Sequence, residues 1–379
     1  MNIQRLYIKN FRNISDLEID LKKGVIILYG TNGQGKTNFV ESIYVLSKTN
    51  SFRTSHNKEL ICLDTKEALV SAKLKKQKGE LENKILLTNQ GKTCFVNKNK
   101  VNKVSEYLGK LNAISFTPED VNIFKETPRS RRWFMDSELS SLFPLYVKQL
   151  IVFQKVLEER NAFLKQNKAT KTELLEVIDD KLLECSFDLY QRRKWLIEKI
   201  SQFASVIYQK ITNKKVNLQF VYRTFLDCST KEEYISKGKE FYRNNFEKDF
   251  EKTFTQNGIQ KDDFIAYLDE KEVSMYASQG QQRLVSLAMK LALAAIVSNV
   301  NKEEPIIILD DVFSELDKEK RENLLNYIIN KEQVFITCTN YQEVISNEND
   351  IPIQIIKIQQ GNVVERGVLL YGRKQENSL

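Results

Sequence analysis

The pattern of apolar and polar positions predicts strands and one solvated sheet face in the first third of the chain. Apolar and polar residues alternate over 2–10 and 14–20, which predicts a half-buried β-hairpin with its turn near Asn13. The continuous apolar run 25–29 predicts a strand that is buried on both faces in a parallel sheet. Alternation returns over 68–97 together with many lysines, so we predict a β-subdomain with one solvated face there.

The middle of the chain has a helical character. Between about residues 123 and 212, apolar residues recur at intervals of three and four, which predicts amphipathic helices. The pattern then predicts a strand at 216–222 and a further helix at 230–256.

In the last third the pattern predicts alternating helices and strands. The predicted elements are a helix at 282–298, a strand at 305–309, a helix at 318–329, and strands at 334–337, 352–359 and 362–370. Together with the opening strands, this is the order of an α/β domain. We therefore predict one α/β head made of residues 1–122 and 276–379, which is split by a helical insert at 123–275.

Composition narrows the class of protein without identifying a function. The 379 residues are 41% hydrophobic and 28% charged, which is ordinary globular usage. The five scattered cysteines form no metal-binding or disulfide pattern, and the single histidine, His56, excludes mechanisms that need two. No apolar run approaches the roughly 18 residues of a membrane span, since the best, 284–297, contains Ser286 and Lys290. We expect a cytoplasmic protein with no membrane span, whose net charge of +8 favours polyanionic partners.

The clearest motif lies directly after the apolar run 25–29. Residues 30–37 fit the pattern G-x-x-x-x-G-K-[ST] between a predicted strand and a predicted helix, which is the context of a phosphate-binding loop. In such a loop backbone N–H groups surround the phosphates, the lysine contacts the terminal phosphates and the threonine ligates Mg²⁺. The predicted nucleotide-binding residues are Gly30, Thr31, Asn32, Gly33, Gln34, Gly35, Lys36 and Thr37.

A second predicted strand supplies carboxylates for the same site. The apolar residues 306–309 end in Asp310, which is the usual form of a strand whose tip reaches the Mg²⁺ ion. Asp311 follows at once, and we predict that it orients or deprotonates the attacking water. The alternative for Asp311 is a helix or turn cap, since aspartate is common in that role.

Two further motifs resemble those of the ABC-type ATPases. Residues 309–317 (LDDVFSELD) resemble the D-loop, and residues 277–283 (ASQGQQR) resemble the signature motif. The resemblance implies a site that is complete only in an ATP-dependent homodimer, because the signature residues bind the γ-phosphate of ATP held by the other subunit. Those residues are Ser278, Gln279, Gly280 and Gln281, and they precede a long predicted helix whose N-terminus favours an anion.

Blocks along nearly the whole chain are similar to the RecF family, in the SMC and Rad50 branch of these ATPases. The blocks are residues 6–13 (LYIKNFRN), 51–54 (SFRT), 116–120 (FTPED), 131–136 (RRWFMD), 276–283 and 310–317. The insert is too short for the coiled coils of SMC and Rad50 proteins. The resemblance implies an α/β fold: a P-loop ABC-type ATPase head, Rad50-like, with an attached β-subdomain and a helical arm between the phosphate loop and the signature motif.

The same resemblance implies an ATP-dependent DNA-binding protein of recombinational repair, which acts at gaps and stalled replication forks. It implies RecR as a partner, with RecO and RecA downstream, and a link to the SOS response. It also implies that Arg12 and Asn13 approach the nucleotide phosphates; the alternative is a turn with a solvated arginine. Glu119 and Asp120 fall near the expected Q-loop, which has no glutamine in this sequence.

Two departures from the wider superfamily bear on the reaction rate. Asp311 stands where transporter subunits carry glutamate, and residues 337–340 (TCTN) stand where a switch histidine is expected. Both changes displace groups that position the attacking water, and a misplacement of about 1 Å can cost roughly 100-fold in rate. We therefore predict slow hydrolysis, with ATP acting as the timer of a clamp.

The DNA-contacting surface is the least defined part of the sequence. The resemblance implies that Arg53 responds to DNA, with an ordinary loop as the alternative. If two subunits close around ATP, basic residues of the β-subdomain and the arm would line a groove: Lys73, Lys75, Lys76, Arg192 and Arg193. Such contacts carry no base information, so we predict binding without sequence preference and with a steep salt dependence. A solvated strand or helix face is the alternative.

Two other functions remain open from the sequence. In one, the protein is a nucleotide-switched scaffold that recruits its partner on ATP binding and needs no hydrolysis. In the other, it is the nucleotide-binding subunit of an ABC transporter, which the long insert, the opening block and the missing histidine disfavour.

Overall fold

The structure is a computed structural model that describes residues 1–166, 173–345 and 352–370. The chain forms two compact units. The first contains residues 1–121, 203–216 and the described part of 279–379, and the second contains 122–202 and 217–278, apart from the gap at 167–172. Residues 203–216 fall inside the predicted insert, but they pack with the first unit.

The strands and helices are defined by their backbone hydrogen bonds. The strands are β1 (Asn2–Phe11), β2 (Ile14–Asp20), β3 (Gly24–Tyr29), β4 (Glu67–Lys76), β5 (Gly79–Thr88), β6 (Gly91–Val96), β7 (Asn99–Lys100), β8 (Ala113–Phe116), β9 (Leu218–Arg223), β10 (Asp263–Leu268), β11 (Lys271–Glu272), β12 (Ile306–Asp310), β13 (Gln333–Cys338), β14 (Pro352–Gln359) and β15 (Asn362–Leu370). The helices are α1 (Lys36–Lys48), α2 (Val104–Tyr107), α3 (Pro128–Leu142), α4 (Pro144–Gln166), α5 (Glu173–Thr212), α6 (Lys231–Asn244), α7 (Phe246–Lys252), α8 (Val273–Tyr276), α9 (Gln279–Asn301) and α10 (Lys318–Ile328).

The first unit contains two six-stranded sheets. One has the order β15-β14-β3-β13-β12-β8; its neighbours from β14 to β8 are parallel, and β15 pairs antiparallel at the edge. The other is antiparallel, with the order β2-β1-β4-β5-β6-β7, and carries the predicted hairpin and β-subdomain. The buried face of α1 joins strands of both sheets in one apolar core, which includes Ile8, Ile26, Phe39, Val70 and Phe335.

Parallel pairing brings distant parts of the chain to one edge of the first sheet. In the register, Asp310 lies opposite Thr337, and Cys338 lies opposite Tyr29. The carboxyl ends of β3, β12 and β13 therefore meet at the same edge, which is where ligands bind in open α/β sheets.

Among the described residues, helix α9 is long and apolar enough to cross a membrane. However, 72% of its most apolar stretch is buried in the protein. That burial is typical of a helix in a protein core. Helix α9 begins at Gln279, three residues before the predicted start, so that Gln279, Gly280 and Gln281 of the signature motif lie in its first turn and Ser278 directly precedes it.

The second unit is mainly helical. It contains α3, α4, α6, α7, α8 and most of α5, together with the three-stranded antiparallel sheet β11-β10-β9. The predicted helix at 230–256 is two helices, α6 and α7. Two buried arginines of this unit pair with carboxylates: Arg160 donates to Asp179 at 2.6 Å and to Asp249 at 2.7 Å, and Arg193 donates to Asp136 at 2.9 Å.

Candidate nucleotide-binding site

The phosphate loop joins β3 to α1, as the sequence predicts. Gly30 and Gly35 have φ angles of +146° and +104°, which only glycine adopts readily. A Cβ atom at Gly30 would lie 2.5 Å from the carbonyl oxygen of Ile358, and one at Gly35 would lie 2.7 Å from Oδ1 of Asn13. A side chain at either position is therefore excluded by the backbone conformation and by the close approach of other residues of this chain.

Lys36 is the first residue of α1 and is largely buried. Its ammonium donates to the carbonyl oxygens of Gly30 at 2.6 Å and Thr31 at 2.8 Å, so it lies within the curve of the loop. Burial lowers its pKa, and the nearby Cys338, Asp311 and Asp310 oppose that shift. A cation held here is in position to exchange the two carbonyls for anionic phosphate oxygens.

Thr37 and Asp310, the two predicted Mg²⁺ ligands, are in contact. The hydroxyl of Thr37 donates to Oδ1 of Asp310 at 3.0 Å. Burial raises the pKa of Asp310, hydrogen bonds from Thr337 and Thr37 oppose the shift, and the negative charges of Asp311 and Glu119 add to it. Bringing a divalent cation to this carboxylate would relieve the same repulsion.

The donor set fits Mg²⁺ rather than a metal held by the protein alone. In the described ranges, no group of three or more His, Cys, Asp or Glu side chains is placed to hold a metal ion. Mg²⁺ commonly keeps several waters and takes one or two protein oxygens together with phosphate oxygens. A hydroxyl and one carboxylate at the edge of a phosphate loop are what such a site requires.

Asp311 lies next to these groups in an unusual backbone conformation. Its φ angle is +52°, a left-handed value that is uncommon for a residue other than glycine. Its N–H donates to the hydroxyl of Thr337 at 2.9 Å, and its carbonyl accepts from the hydroxyl of Ser314 at 3.0 Å. Together with Lys36 and Thr37 it lines a cavity of about 400 Å³, whose other lining residues are Asn32, Gly33, Gly35, Asn38, Arg53 and Thr337.

The structure places the side chain of Asn13 beside the phosphate loop and directs that of Arg12 to a residue of α1. The amide oxygen of Asn13 accepts from the side chain of Asn38 at 2.8 Å, beside Gly35. The guanidinium of Arg12 is directed instead towards Glu41, a fully buried residue of α1. In this structure, Asn13 supports the loop, while Arg12 neutralises a buried carboxylate.

Arg53 is exposed and lines the same cavity. Its Nη1 donates to Oδ1 of Asn38 at 2.9 Å and lies 3.5 Å from Oε2 of Glu41. Glu41 also accepts a hydrogen bond of 2.5 Å from the hydroxyl of Ser51. A basic residue that lines the nucleotide cavity can contact a bound phosphate directly.

The loop at the expected Q-loop position is tied to helix α9. Asp120 accepts from the N–H of Thr117 at 2.8 Å and pairs with Lys290 at 2.7 Å. Ser286 donates to the carbonyl of Asp120 at 2.9 Å. Glu119 is exposed, and its charge reaches Asp310, so it is the better placed of the two acids to approach a metal ion.

Gly280 of the signature motif has open space around it. A Cβ atom there would meet nothing within 4 Å, and its φ angle is not left-handed. Glycine in the first turn of a helix is less favourable than alanine, so neither packing nor conformation explains it. Nearby, Arg283 of α9 pairs with Glu315 of the D-loop, which links these two motifs within the first unit.

The predicted DNA contacts occupy different environments. Lys73 and Lys75 are exposed on β4, while Lys76 pairs with Glu303 at 3.7 Å. Arg192 is exposed and stacks on the ring of Phe143, with 4.1 Å from its guanidinium carbon to the ring centre.

Arg193 corrects one of these predictions. It is 2% exposed and donates to both carboxylate oxygens of Asp136 and to the carbonyl of Ile259. A guanidinium enclosed in this way contacts no DNA phosphate, so we remove Arg193 from the candidate contacts. Residues 192 and 193 are adjacent on one helix, and their sequence gives no indication of which side chain points inward.

Comparisons with known proteins place the whole chain in one family. A family model described as the RecF/RecN/SMC N terminal domain matches residues 2–363. The chain is 35% identical to the DNA replication and repair protein RecF of Halalkalibacterium halodurans, over 97% of this chain and 100% of the relative. It is 36% identical to the RecF protein of Bacillus subtilis, over 96% and 100%.

Solved structures give the same result. A structure of the recombination mediator protein RecF with ATP in the RecFOR pathway matches with a TM-score of 0.85 and 29% identity, covering 96% of this chain and 97% of the other. An SMC head domain from Pyrococcus furiosus matches with a TM-score of 0.56 and 16% identity, covering 97% and 96%. The second match concerns the fold alone, and the predicted ATPase-head fold is confirmed.

Proposed function

The chain belongs to the RecF family of DNA replication and repair proteins, and we propose that it is an ATP-dependent DNA-binding protein of recombinational repair. One observation carries the proposal: Lys36, Thr37 and Asp311 line one cavity at the carboxyl edge of the parallel sheet, and the hydroxyl of Thr37 donates to Asp310 behind it. A similar solved protein is a recombination mediator with ATP bound. The repair proteins to which this chain is similar come from bacteria, and we propose that it acts in the cytoplasm.

ATP is the proposed cofactor, with Mg²⁺ held by Thr37 and Asp310. The metal ion would neutralise charge on the phosphates and orient them. Residues 30–35 supply N–H donors to the phosphates, and Lys36 supplies a cation. Asp311 holds the attacking water. Its side chain is one methylene shorter than glutamate, and the chain has no histidine in the residues after β13, so we propose slow hydrolysis.

The signature motif supports an ATP-dependent homodimer. Gly280 has no role in packing its own chain, whereas the approach of a second subunit's phosphate requires a residue without a side chain. We propose that Ser278, Gln279, Gly280 and Gln281 contact ATP held by the other subunit. ATP then closes two subunits on DNA, and hydrolysis releases them.

The proposed DNA contacts are Arg53, Lys73, Lys75, Lys76 and Arg192. Lys76 contributes less to phosphate binding than the others, because its ammonium pairs with Glu303. They bind phosphates at gaps and stalled forks without reading bases. On duplex DNA, log K then falls by about 0.9 per neutralised phosphate for each unit of log salt concentration. RecR is the proposed partner, with RecO and RecA acting later and a link to the SOS response.

Light scattering tests the central claim. The molar mass of the protein is measured on duplex DNA that bears a single-stranded gap, first in ATP and then in ADP. We expect two subunits per DNA in ATP and loss of the complex in ADP. One subunit per DNA with either nucleotide would contradict the dimeric clamp.

A non-hydrolysable ATP analogue then separates the clamp from a nucleotide-switched scaffold. If RecR is recruited in the analogue, and Asp311→Asn leaves both recruitment and release unchanged, hydrolysis has no function in the cycle. The scaffold would then replace the timed clamp.

A further inference from the structure

The hydroxyl of Thr337 connects the two adjacent carboxylate residues of the candidate site. It donates to Oδ1 of Asp310 at 2.6 Å, and it accepts from the N–H of Asp311 at 2.9 Å. Thr337 and Asp310 are opposite each other in the parallel pair β12 and β13, and both are at most 4% exposed. The contact therefore belongs to the sheet itself and does not depend on a loop.

The direction of both hydrogen bonds follows from their chemistry. A backbone N–H only donates, so the Thr337 oxygen is the acceptor from Asp311. The single hydroxyl proton is then committed to Asp310, whose ionised carboxylate only accepts. With its proton engaged in this way, the hydroxyl donates to no bound phosphate.

Each bond fixes a different part of the site. The bond to Asp310 sets the rotation of a carboxylate that also accepts from Thr37, so both accepted bonds converge on Oδ1. The bond from Asp311 holds a backbone with φ of +52°, a conformation that costs energy for a residue with a side chain. That backbone sets the direction in which the Asp311 side chain leaves the strand.

We propose that Thr337 is a positioning residue for nucleotide hydrolysis, which holds Asp310 for the metal ion and Asp311 for the attacking water. The proposal rests on the proposed ATPase function. It assigns a role to a residue at the end of β13, where the sequence suggested only that a histidine is missing. Thr337 acts through the two carboxylates and makes no contact with the reacting atoms.

Substitution by residues of similar size tests the role. Thr337→Val removes the hydroxyl and keeps the branched shape, which suits a strand. Thr337→Ser keeps the hydroxyl, and Thr337→Cys replaces it with a weaker donor of similar size. Thr88→Val is the matched control, because Thr88 lies on another strand of the same unit and its hydroxyl donates to the carbonyl of Gly91 at 3.2 Å.

Three quantities are measured for each protein: nucleotide affinity in EDTA, the Mg²⁺ concentration for half-maximal activity, and the single-turnover hydrolysis rate. For Thr337→Val we expect affinity in EDTA within about twofold of wild type, a Mg²⁺ requirement raised about fivefold, and a rate lowered at least tenfold. We expect the hydrolysis rate of Thr337→Ser to stay within about threefold of wild type. The rate of Thr337→Cys should lie between those of Thr337→Ser and Thr337→Val. Thr88→Val is expected to match wild type.

The thermal midpoint separates positioning from folding. If Thr337→Val melts early, the comparison rests on Thr337→Cys, and a purely structural role would leave its Mg²⁺ requirement unchanged. A variant that loses affinity in EDTA while its single-turnover rate is unchanged would make Thr337 a phosphate contact and overturn the proposal. A Thr337→Val protein identical to wild type would overturn it too.

The outcome for wild type distinguishes this proposal from the one it rests on. A wild-type protein that binds no ATP would overturn the proposed function and the role of Thr337 with it. If wild type binds ATP in a Mg²⁺-dependent way but turns over too slowly to measure, the Mg²⁺ concentration for half-maximal ATP binding replaces the activity-based value, and its shift in Thr337→Val decides the role of Thr337.

Discussion

The guanidinium of Arg12 forms two hydrogen bonds with the carboxylate of Glu41, from Nε to Oε2 at 3.0 Å and from Nη2 to Oε1 at 2.8 Å. Glu41 is fully buried on the face of α1 that lies behind the phosphate loop, and Ser51 and Arg53 also approach it. A buried carboxylate is stable only when it is paired and hydrogen-bonded. Glu41 therefore fixes the positions of two arginines at the site.

Glu41→Gln should destabilise the first unit by about 3 kcal/mol, because removing one member of a buried ion pair leaves the other uncompensated. Two arginines lose their anionic partner in this variant, while the volume of the side chain is kept. Urea unfolding, with the slope checked against wild type, measures the difference. Glu59→Gln is the control, since that side chain is exposed and carries the same charge. Equal urea midpoints for the two variants would show that the Arg12–Glu41 ion pair makes no net contribution to stability.

The sequence predicted the parts of the site that rest on local patterns. The phosphate loop lies between a buried strand and a helix, and Asp310 ends a short apolar strand, so each is visible within about ten residues. The edge strand β8 was missed, because its four residues carry no alternation and β12 supplies its pairing. Its neighbours in the sheet come from distant parts of the chain.

The contacts that support the site were not predictable from one sequence. Thr337 meets Asp310 and Asp311 only because β12 and β13 pair in one register, across 26 or more positions. The inward direction of Arg193 depends on where Asp136 lies in the folded unit. Composition and periodicity indicate that a helix is amphipathic, but they do not identify which charged residue is enclosed.

Lys36→Ala should abolish measurable ATP binding, with a loss of affinity of at least about 100-fold. The ammonium is the cation of the loop, and its removal leaves the carbonyls of Gly30 and Thr31 facing the phosphates. Isothermal calorimetry measures the affinity, and Lys78→Ala, at an exposed lysine, is the control. ATP binding by Lys36→Ala within tenfold of wild type would contradict the assignment of the site.

Ser278→Arg should leave ATP binding by the single subunit intact and prevent ATP-dependent dimerisation. The new side chain adds bulk at the N-terminus of α9, where the second subunit's phosphate is proposed to bind. Ser229→Arg places the same side chain at an exposed position of the second unit. Light scattering in ATP gives the molar mass, and a Ser278→Arg protein that dimerises normally would disprove the composite site.

Asp262 of the second unit should give the protein a pH-dependent stability. It is 2% exposed, and burial raises its pKa to about 6, although the hydroxyls of Tyr222 and Thr224 and the charges of Arg193 and Arg132 oppose the shift. The folded chain therefore holds this proton more tightly than the unfolded chain, whose aspartate has a pKa near 4. The stabilisation of the folded chain by this bound proton is fully present below about pH 4 and is lost as the pH rises through about 6.

Asp262→Asn removes this titration, because the amide stays neutral while its oxygen still accepts from Tyr222. Relative to the variant, wild type should gain about 1 kcal/mol of unfolding free energy between pH 8 and pH 5. Urea unfolding at the two pH values, followed by a signal from the second unit, measures this difference. Glu270→Gln, at an exposed position of the same unit, should show no such change relative to wild type. If the difference in unfolding free energy between Asp262→Asn and wild type is the same at both pH values, Asp262 is ionised at both. Arg193 and Arg132 would then compensate for its burial.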